Sequence, residues 1–458
     1  MDYKDFLEKK MMINHAFGHD CKSDLSCLFD FQKSVVEWAT KKGKAALFAD
    51  CGLGKTAMSL KWAESVFIET EKPILIIAPL SVSRQTYRES EKFNVETNLC
   101  FSSDDVICGI NITNYEKLKH FDCSIFSGVV LDESSILKSF TSSTRNFLID
   151  TFQKTPYKLA CTATPAPNDF MEIGNHAEFL GIMTRTEMLS MFFVNDQKET
   201  QKWRLKGHAK KSFWKWISSW SLMFKKPSDI GFDDCGFDLP DLNIQHHIVE
   251  HGKPLDGVFF KDVARTLNEQ RQARKESMTV RLEKTKEIVN KSYEKQWLLW
   301  CDLNDESTQI KKNIGGFVEV KGSDKDIYKA DTLDGFARGD INKLVTKCSI
   351  SGFGMNFQIC NNMLFFGLSH SYESFYQAVR RCWRFGQKKP VNVHVVISDI
   401  EIPVLENIER KHEQAEEMQK KMIENMIEFT KAEIKKTVKE VSVYKPQKQM
   451  VLPEWLKN

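Results

Sequence analysis

Ala45-Ala46-Leu47-Phe48-Ala49-Asp50-Cys51-Gly52-Leu53-Gly54-Lys55-Thr56 is an apolar run that breaks into a glycine turn closed by Lys-Thr, and Ala57-Met58-Ser59-Leu60 then opens a helical stretch. A buried strand, a glycine turn and a helix in that order build a phosphate-binding loop. Backbone N–H groups and the helix N-terminus surround the anion, and Gly52 and Gly54 let the backbone approach it closely. Lys55 is placed to reach β- and γ-phosphates, and Thr56 to ligate Mg²⁺. The expected cofactors are therefore ATP and Mg²⁺. The position of the usual first glycine of such a loop is taken by Ala49.

Working outward, Ile74–Pro79, Ile110–Thr113, Gly128–Asp132 and Lys158–Thr162 are short apolar runs separated by polar segments. This is the pattern of parallel strands buried on both faces by helices. The rhythm returns in Trp297–Cys301, Phe317–Val320, Lys343–Lys347, Met363–Phe366 and Val391–Ile397. Two open α/β sheets in tandem are expected.

Two further elements belong with the loop. Gly128-Val129-Val130-Leu131 delivers Asp132 and Glu133 at the end of a strand about seventy-five residues after Thr56. Asp132 would hold Mg²⁺, and Glu133 would orient and deprotonate an attacking water. A bare Asp-Glu pair is often only a solvated strand end, so its placement carries the argument. In the second half, Arg381 and Arg384 stand one helical turn apart within Gln377–Gln387. Such a pair can reach across a cleft and stabilise the charge of a phosphoryl transition state. A plain basic surface helix explains the interleaved Trp383 and Phe385 poorly.

These elements, in this order, resemble helicase superfamily two, and within it the Swi/Snf-type DNA translocases and their short phage-encoded relatives. The likeness runs from about Leu28 to Ile397. Leu28-Phe29-Asp30-Phe31-Gln32 resembles the glutamine motif, which implies that Gln32 reads the adenine edge. Asp50, Cys51, Gly52, Leu53, Gly54, Lys55 and Thr56 form motif I. Ile77–Val82 and Ile112–Glu116 resemble motifs Ia and Ib, which face nucleic acid in the family. Asp132-Glu133-Ser134-Ser135 is similar to motif II, and Cys161-Thr162-Ala163-Thr164-Pro165 to motif III. Gly352-Phe353-Gly354-Met355-Asn356 resembles motif V, which adds Gly354 to the implied nucleotide site. Gln377–Gln387 is close to the Swi/Snf form of motif VI. The resemblance implies two RecA-like domains and ATP-dependent movement along DNA, with double-stranded DNA as the partner. Ser134-Ser135 replaces the Ala-His or Ala-Asp common in relatives, and Gly367-Leu368-Ser369-His370-Ser371 replaces an acidic Trp-Asn-Pro segment. An RNA helicase, and a nucleic-acid-binding module with a degenerate ATPase, are the alternatives. The form of motif VI argues against the first, and Lys55, Thr56, Asp132, Glu133, Arg381 and Arg384 against the second.

With 458 residues, two or three domains are expected. We expect an N-terminal segment (1–27), a first RecA-like domain (28–183), a basic helical protrusion (184–236), a second RecA-like domain (237–400) and a helical tail (401–458). The net charge of +3 gives no global basic field, so a nucleic-acid surface must be local. Between Lys198 and Lys226 lie nine Lys/Arg against one acid, with Trp203, Trp214, Trp216 and Trp220 among them. The lysines are expected to meet phosphates and the tryptophans mostly to form a core. Val404, Ile408, Ala415, Met418, Met422, Met426 and Phe429 stripe one face of a terminal helix, expected to pack on the second domain. Twelve cysteines without a Cys-x-x-Cys pair read as reduced thiols. His15, His19, Cys21 and Cys27 match none of the common zinc spacings. The polar start and the lack of a long apolar run lead us to expect an intracellular, cytoplasmic protein, and the resemblance to phage-encoded relatives implies a bacterial or phage-infected host cytosol. No protein partner is legible.

Overall fold

The computed structural model describes residues 16–138, 142–166, 169–195, 203–250, 274–291, 296–351 and 355–438. Gly354, with Gly352 and Phe353 beside it, His15 and the Lys198–Lys202 part of the basic stretch lie outside the described residues.

The first sheet contains β1 (Lys44–Ala49), β2 (Ile74–Ala78), β3 (Thr97–Leu99), β4 (Ile110–Asn114), β5 (Gly128–Asp132), β6 (Tyr157–Cys161) and β9 (Ser221–Phe224), in the order β3-β4-β2-β5-β6-β1-β9. Every pairing in it is parallel. The second sheet contains β10 (Leu242–Val249), β11 (Trp297–Cys301), β12 (Val318–Glu319), β13 (Lys343–Lys347), β14 (Asn362–Phe366) and β15 (Val391–Ser398), in the order β10-β15-β14-β11-β13-β12. It too is parallel throughout. A short antiparallel hairpin joins β7 (Phe193–Asn195) and β8 (Trp203–Leu205). The fold is two tandem RecA-like α/β domains followed by a C-terminal helix.

The alternation of side chains along each strand builds two cores per sheet. In β1, Ala46 and Phe48 enter one layer while Ala45, Leu47 and Ala49 enter the other. In β11, Leu298 and Trp300 face one layer, and Trp297, Leu299 and Cys301 the opposite one. Both faces being covered, the polar work of each sheet is left to its strand ends and loops.

Two expectations are corrected. Residues 184–236 are not a separate protrusion. Phe213, Trp214, Trp216 and Trp220 lie in the core of the first domain, and β9 hydrogen-bonds beside β1 as the edge strand of its sheet. The helix Lys210–Ser218 presents Lys210, Lys211 and Lys215 to solvent from the opposite face. Nor does the terminal helix rest on the second domain alone. Its 37 residues, Ile402–Val438, span roughly 55 Å at 1.5 Å per residue. Val404, Leu405 and Ile408 enter the second domain's core. Met422 and Met426 are buried in one core layer of the first domain, and Ile434 in the other. Lys225–Glu416 at 3.0 Å and Lys42–Glu433 at 2.8 Å fasten it to the first domain. The apolar stripe reports a buried face, and the helix is long enough to divide that face between two neighbours.

Candidate active site at the domain cleft

The carboxyl ends of β1, β6 and β5 are neighbours in the first sheet, and the loops leaving them carry motifs I, III and II. After β1 the chain turns through Gly52 and Gly54, at φ of 90° and 81°. Only glycine adopts this left-handed backbone without a steric penalty. The helix α1 (Lys55–Thr70) follows, so Lys55 and Thr56 open its first turn. The Lys55 ammonium rests on the carbonyls of Ala49 (2.9 Å) and Asp50 (3.3 Å). Gln32 packs behind the loop: its amide donates to the Leu53 carbonyl at 3.0 Å and accepts from the Phe29 N–H at 3.1 Å. A β-carbon on Gly54 would stand 2.2 Å from that amide nitrogen, so glycine is required for this closeness too.

At the end of β5, Asp132 is buried. Burial first, and then the neighbouring Glu133 carboxylate, push its pKa up to about 7, against an opposing pull from Lys55. A carboxylate in such a setting is stabilised by an added cation. Glu133 has a left-handed backbone, φ 56°, uncommon for a non-glycine residue and a form of strain that clusters at functional sites. Its Oε2 is buried with no hydrogen-bond partner among the described residues. Tyr115, from motif Ib, donates its hydroxyl to the Asp132 carbonyl at 2.7 Å. Ser134 meets His176 at 3.2 Å, which ties motif II to the helix Ile173–Leu180. Burial lowers the pKa of His176 to about 4, leaving it neutral near pH 7.

The second domain closes on this loop. A β-carbon on Gly52 would lie 2.9 Å from the Phe385 backbone nitrogen and 3.6 Å from Arg384 Cβ, so the tip of motif VI sits on the phosphate loop. Arg384 keeps a long contact to the Met355 carbonyl at 3.5 Å, and its Nε is buried without a hydrogen-bond partner among the described residues. Burial first, and then Arg381, lower its pKa to about 10. It is a guanidinium short of an anion. Arg381 is turned into its own domain, donating to the carbonyls of Gln377 (2.9 Å) and Met355 (3.4 Å). In the state described, only Arg384 of this pair faces the loop.

The motif VI arginine bonded across the cleft is Arg380, which the one-turn spacing does not single out. It donates at 2.8 Å to the Asp50 carboxylate and at 2.8 Å to the Cys51 carbonyl. Tyr376 donates to the same carboxylate at 2.9 Å. Burial is the largest influence and opposes the Arg380 charge, but Asp50, Tyr376 and Cys51 together outweigh it, so its pKa is raised. Phe385 stacks on Phe237 at 4.5 Å, with Phe29 edge-on at 6.0 Å, beside Gln32. The alternation of aromatic residues in Gln377–Gln387 is the only sequence signal for that cluster.

On the other side of the same cleft lies a cavity of about 670 Å³. Leu80 of motif Ia, Arg84 and Arg88 of the helix Leu80–Lys92 that continues it, and Tyr115 of motif Ib line one wall, and Leu333, Ser349 and Ile350 of the second domain the other. Arg88–Asp334 and Lys138–Glu373 ion pairs bridge it. In motif III, the Ala163 carbonyl accepts from Gln419 of the terminal helix at 3.1 Å.

Residues that fit Mg-ATP are therefore together: a glycine loop with Lys55 and Thr56, the buried Asp132 beside Glu133, and, among the described residues, an unpartnered Glu133 oxygen and an unpartnered Arg384 nitrogen. The described residues contain no group of three or more His, Cys, Asp or Glu arranged to hold a metal by themselves.

Residues 280–386 match the helicase conserved C-terminal domain family. The chain is 22% identical to chicken (Gallus gallus) chromodomain-helicase-DNA-binding protein 1 over 481 residues, covering 89% of this chain and 27% of that protein. It is 27% identical to mouse (Mus musculus) DNA annealing helicase and endonuclease ZRANB3 over 157 residues, covering 30% of this chain and 14% of that protein. The chain thus spans about a quarter or less of the length of these curated relatives. A solved structure of the Sulfolobus solfataricus SWI2/SNF2 ATPase core in complex with dsDNA aligns over 93% of this chain and 99% of that one, at 20% identity and a TM-score of 0.41. With a helicase C-terminal domain matched in its second half and motifs I, II and VI brought to one cleft between two RecA-like domains, the chain is similar to the Swi/Snf-type members of helicase superfamily two.

Proposed function

We propose that this chain is an ATP-dependent DNA translocase, hydrolysing ATP between its two RecA-like domains to move along duplex DNA. One observation carries the reading: motif VI, whose Arg384 Nε is buried without a hydrogen-bond partner among the described residues, is seated on the phosphate loop of the other domain. A site shared between two bodies makes their separation depend on what occupies it.

Lys55 exchanges its loop carbonyls for phosphate oxygens. The loop N–H groups from Cys51 to Thr56, including those of Gly52, Leu53 and Gly54, surround the anion. Thr56 and Asp132 would hold the cation, and Glu133 would orient a water and take its proton. Gln32, already bonded to the loop, sets the loop's height against the base. Arg384 balances charge on the transferring phosphoryl group. Bound Mg-ATP supplies that group and the metal's charge. Gly354, in motif V, is assigned to the same cleft by resemblance.

DNA is proposed to run through the groove between Leu80, Arg84 and Arg88 on one side and Ser349 and Ile350 on the other. Phosphate contacts of this kind follow the backbone and read no sequence. The named relatives are DNA helicases, which favours DNA over RNA as the track. No helix among the described residues is long and apolar enough to cross a membrane.

ATP turnover with duplex DNA, single strands and RNA tests the proposal. Strong stimulation by duplex DNA is expected. Equal turnover with and without nucleic acid, or stimulation by RNA alone, would refute it.

A further inference from the structure

Asp50 belongs to the first domain, yet two of the three groups donating to its carboxylate come from the second. Arg380 donates to Oδ2 at 2.8 Å and Tyr376 to Oδ1 at 2.9 Å, while the Cys51 N–H donates to Oδ1 at 2.6 Å from within the loop. The same Arg380 nitrogen also reaches the Cys51 carbonyl at 2.8 Å. The guanidinium is sandwiched, its central carbon 4.9 Å from the Trp383 ring and 5.9 Å from the Tyr376 ring. Trp383 is itself pinned through its indole N–H to the Pro240 carbonyl at 2.7 Å. The Arg380 side chain is 3% exposed and that of Asp50 12%. One Arg380 nitrogen thus carries both contacts to the loop and two rings lie near the guanidinium, while its Nε is buried without a hydrogen-bond partner among the described residues.

What Arg380 grips is the turn that holds Lys55 at rest, since the Ala49 and Asp50 carbonyls carry the Lys55 ammonium. Arg384 stands four residues further along, with its Cβ against Gly52. Fixing Asp50 and Cys51 to Arg380 therefore fixes the distance between the phosphate loop and the arginine proposed to reach the phosphoryl group. A fold-stabilising pair is the simpler explanation, but a buried ion pair contributes little net stability compared with an apolar replacement.

We propose that Arg380 is a positioning residue, with Asp50 as its receiver and Tyr376 as a second anchor, that sets the phosphate loop in register with Arg384 across the cleft. It touches neither substrate nor metal. It acts at the site proposed above and rests on that reading.

The test is a double-mutant cycle on the full chain. Arg380→Gln and Asp50→Asn each lower DNA-stimulated kcat on the order of tenfold or more, with little change in KM for ATP, because the lost interaction is made in the closed state. The double variant falls no further than Arg380→Gln, since both changes remove one contact. Arg380→Lys, which keeps the charge and loses the fork, recovers part of the rate. Independently of turnover, hydrogen exchange at the amides of Cys51–Gly54 quickens in Arg380→Gln, while that of the central strand Ile74–Ala78 stays as in the parent. If Arg380→Gln gives no folded protein, Asp50→Asn and Tyr376→Phe carry the comparison. Parent kcat in Arg380→Gln, multiplicative losses in the double variant, or unchanged exchange in the loop would each overturn the proposal. A parent protein without ATP turnover would instead refute the proposed function, and the exchange measurement would still decide the role of Arg380.

Discussion

Gln419, on the C-terminal helix, donates its amide to the carbonyl of Ala163 at 3.1 Å. A residue that follows the second domain is thereby bonded to motif III of the first. Around this contact, Met418 and Met422 pack near Thr164, Pro165 and Tyr376, so the helix lies against both halves of the ATP cleft.

The apolar part of that contact is expected to hold the first domain together. Met422 and Met426 are 1% and 0% exposed in its core. Replacing either by alanine should cost about 2–5 kcal/mol. Urea unfolding followed by the fluorescence of the buried Trp214, Trp216 and Trp220 checks this. An unchanged midpoint in both variants would mean that the helix is not seated there.

The phosphate loop and the carboxylates are separable. Lys55→Ala should weaken nucleotide binding, because the ammonium that leaves the Ala49 and Asp50 carbonyls for phosphate is gone. Glu133→Gln should bind nucleotide and block hydrolysis, since it removes the base and keeps Asp132. Binding by equilibrium dialysis and turnover on the same preparations resolve the two. Parent-like hydrolysis by Glu133→Gln would remove that residue from the mechanism.

How much of this was legible from the residues depends on the range of the interaction. Strand, glycine turn and helix around Lys55 are local, as is the strand ending in Asp132-Glu133, and their reading agrees with β1, α1 and β5. The edge strand β9 is four residues long, Ser-Leu-Met-Phe, and follows a tryptophan-rich helix. Neither alternation nor length marked it as sheet, and its place beside β1 is set by a pairing some 175 residues apart. The terminal helix showed which face is buried but not against what. Arg380 was hidden because one-turn spacing selects Arg381 and Arg384, whereas the bend after Val379, where the helix Tyr372–Val379 ends, turns Arg380 toward Asp50 and Arg381 inward.

That bend leads to different outcomes for the two arginines. Arg384→Ala should lower turnover by about 10³-fold, the usual cost of losing an arginine finger, with the thermal midpoint little moved. Arg381→Ala should lower the thermal midpoint, because its guanidinium holds the Gln377 and Met355 carbonyls inside the second domain. Steady-state kinetics and calorimetry on both variants decide. A larger rate loss from Arg381→Ala at unchanged stability would reassign the finger.

His176 should make stability depend on pH. Its pKa is lowered to about 4 in the folded chain by burial, against about 6.5 when unfolded. Between these values the unfolded chain binds the extra proton, so stability falls as pH drops from about 6.5 towards 4, by a few kcal/mol in all. His176→Gln should flatten the difference between urea midpoints at pH 7 and pH 5. An unaltered difference would show that other groups dominate.

Movement along duplex DNA is the central claim, and displacement of a third strand from a DNA triplex reports it without requiring the duplex to be opened. With ATP and Mg²⁺ the chain should displace the third strand, Glu133→Gln should not, and a forked duplex should remain largely paired under the same conditions. Efficient separation of the fork with no displacement of the triplex would contradict the account and make the protein a strand-separating helicase.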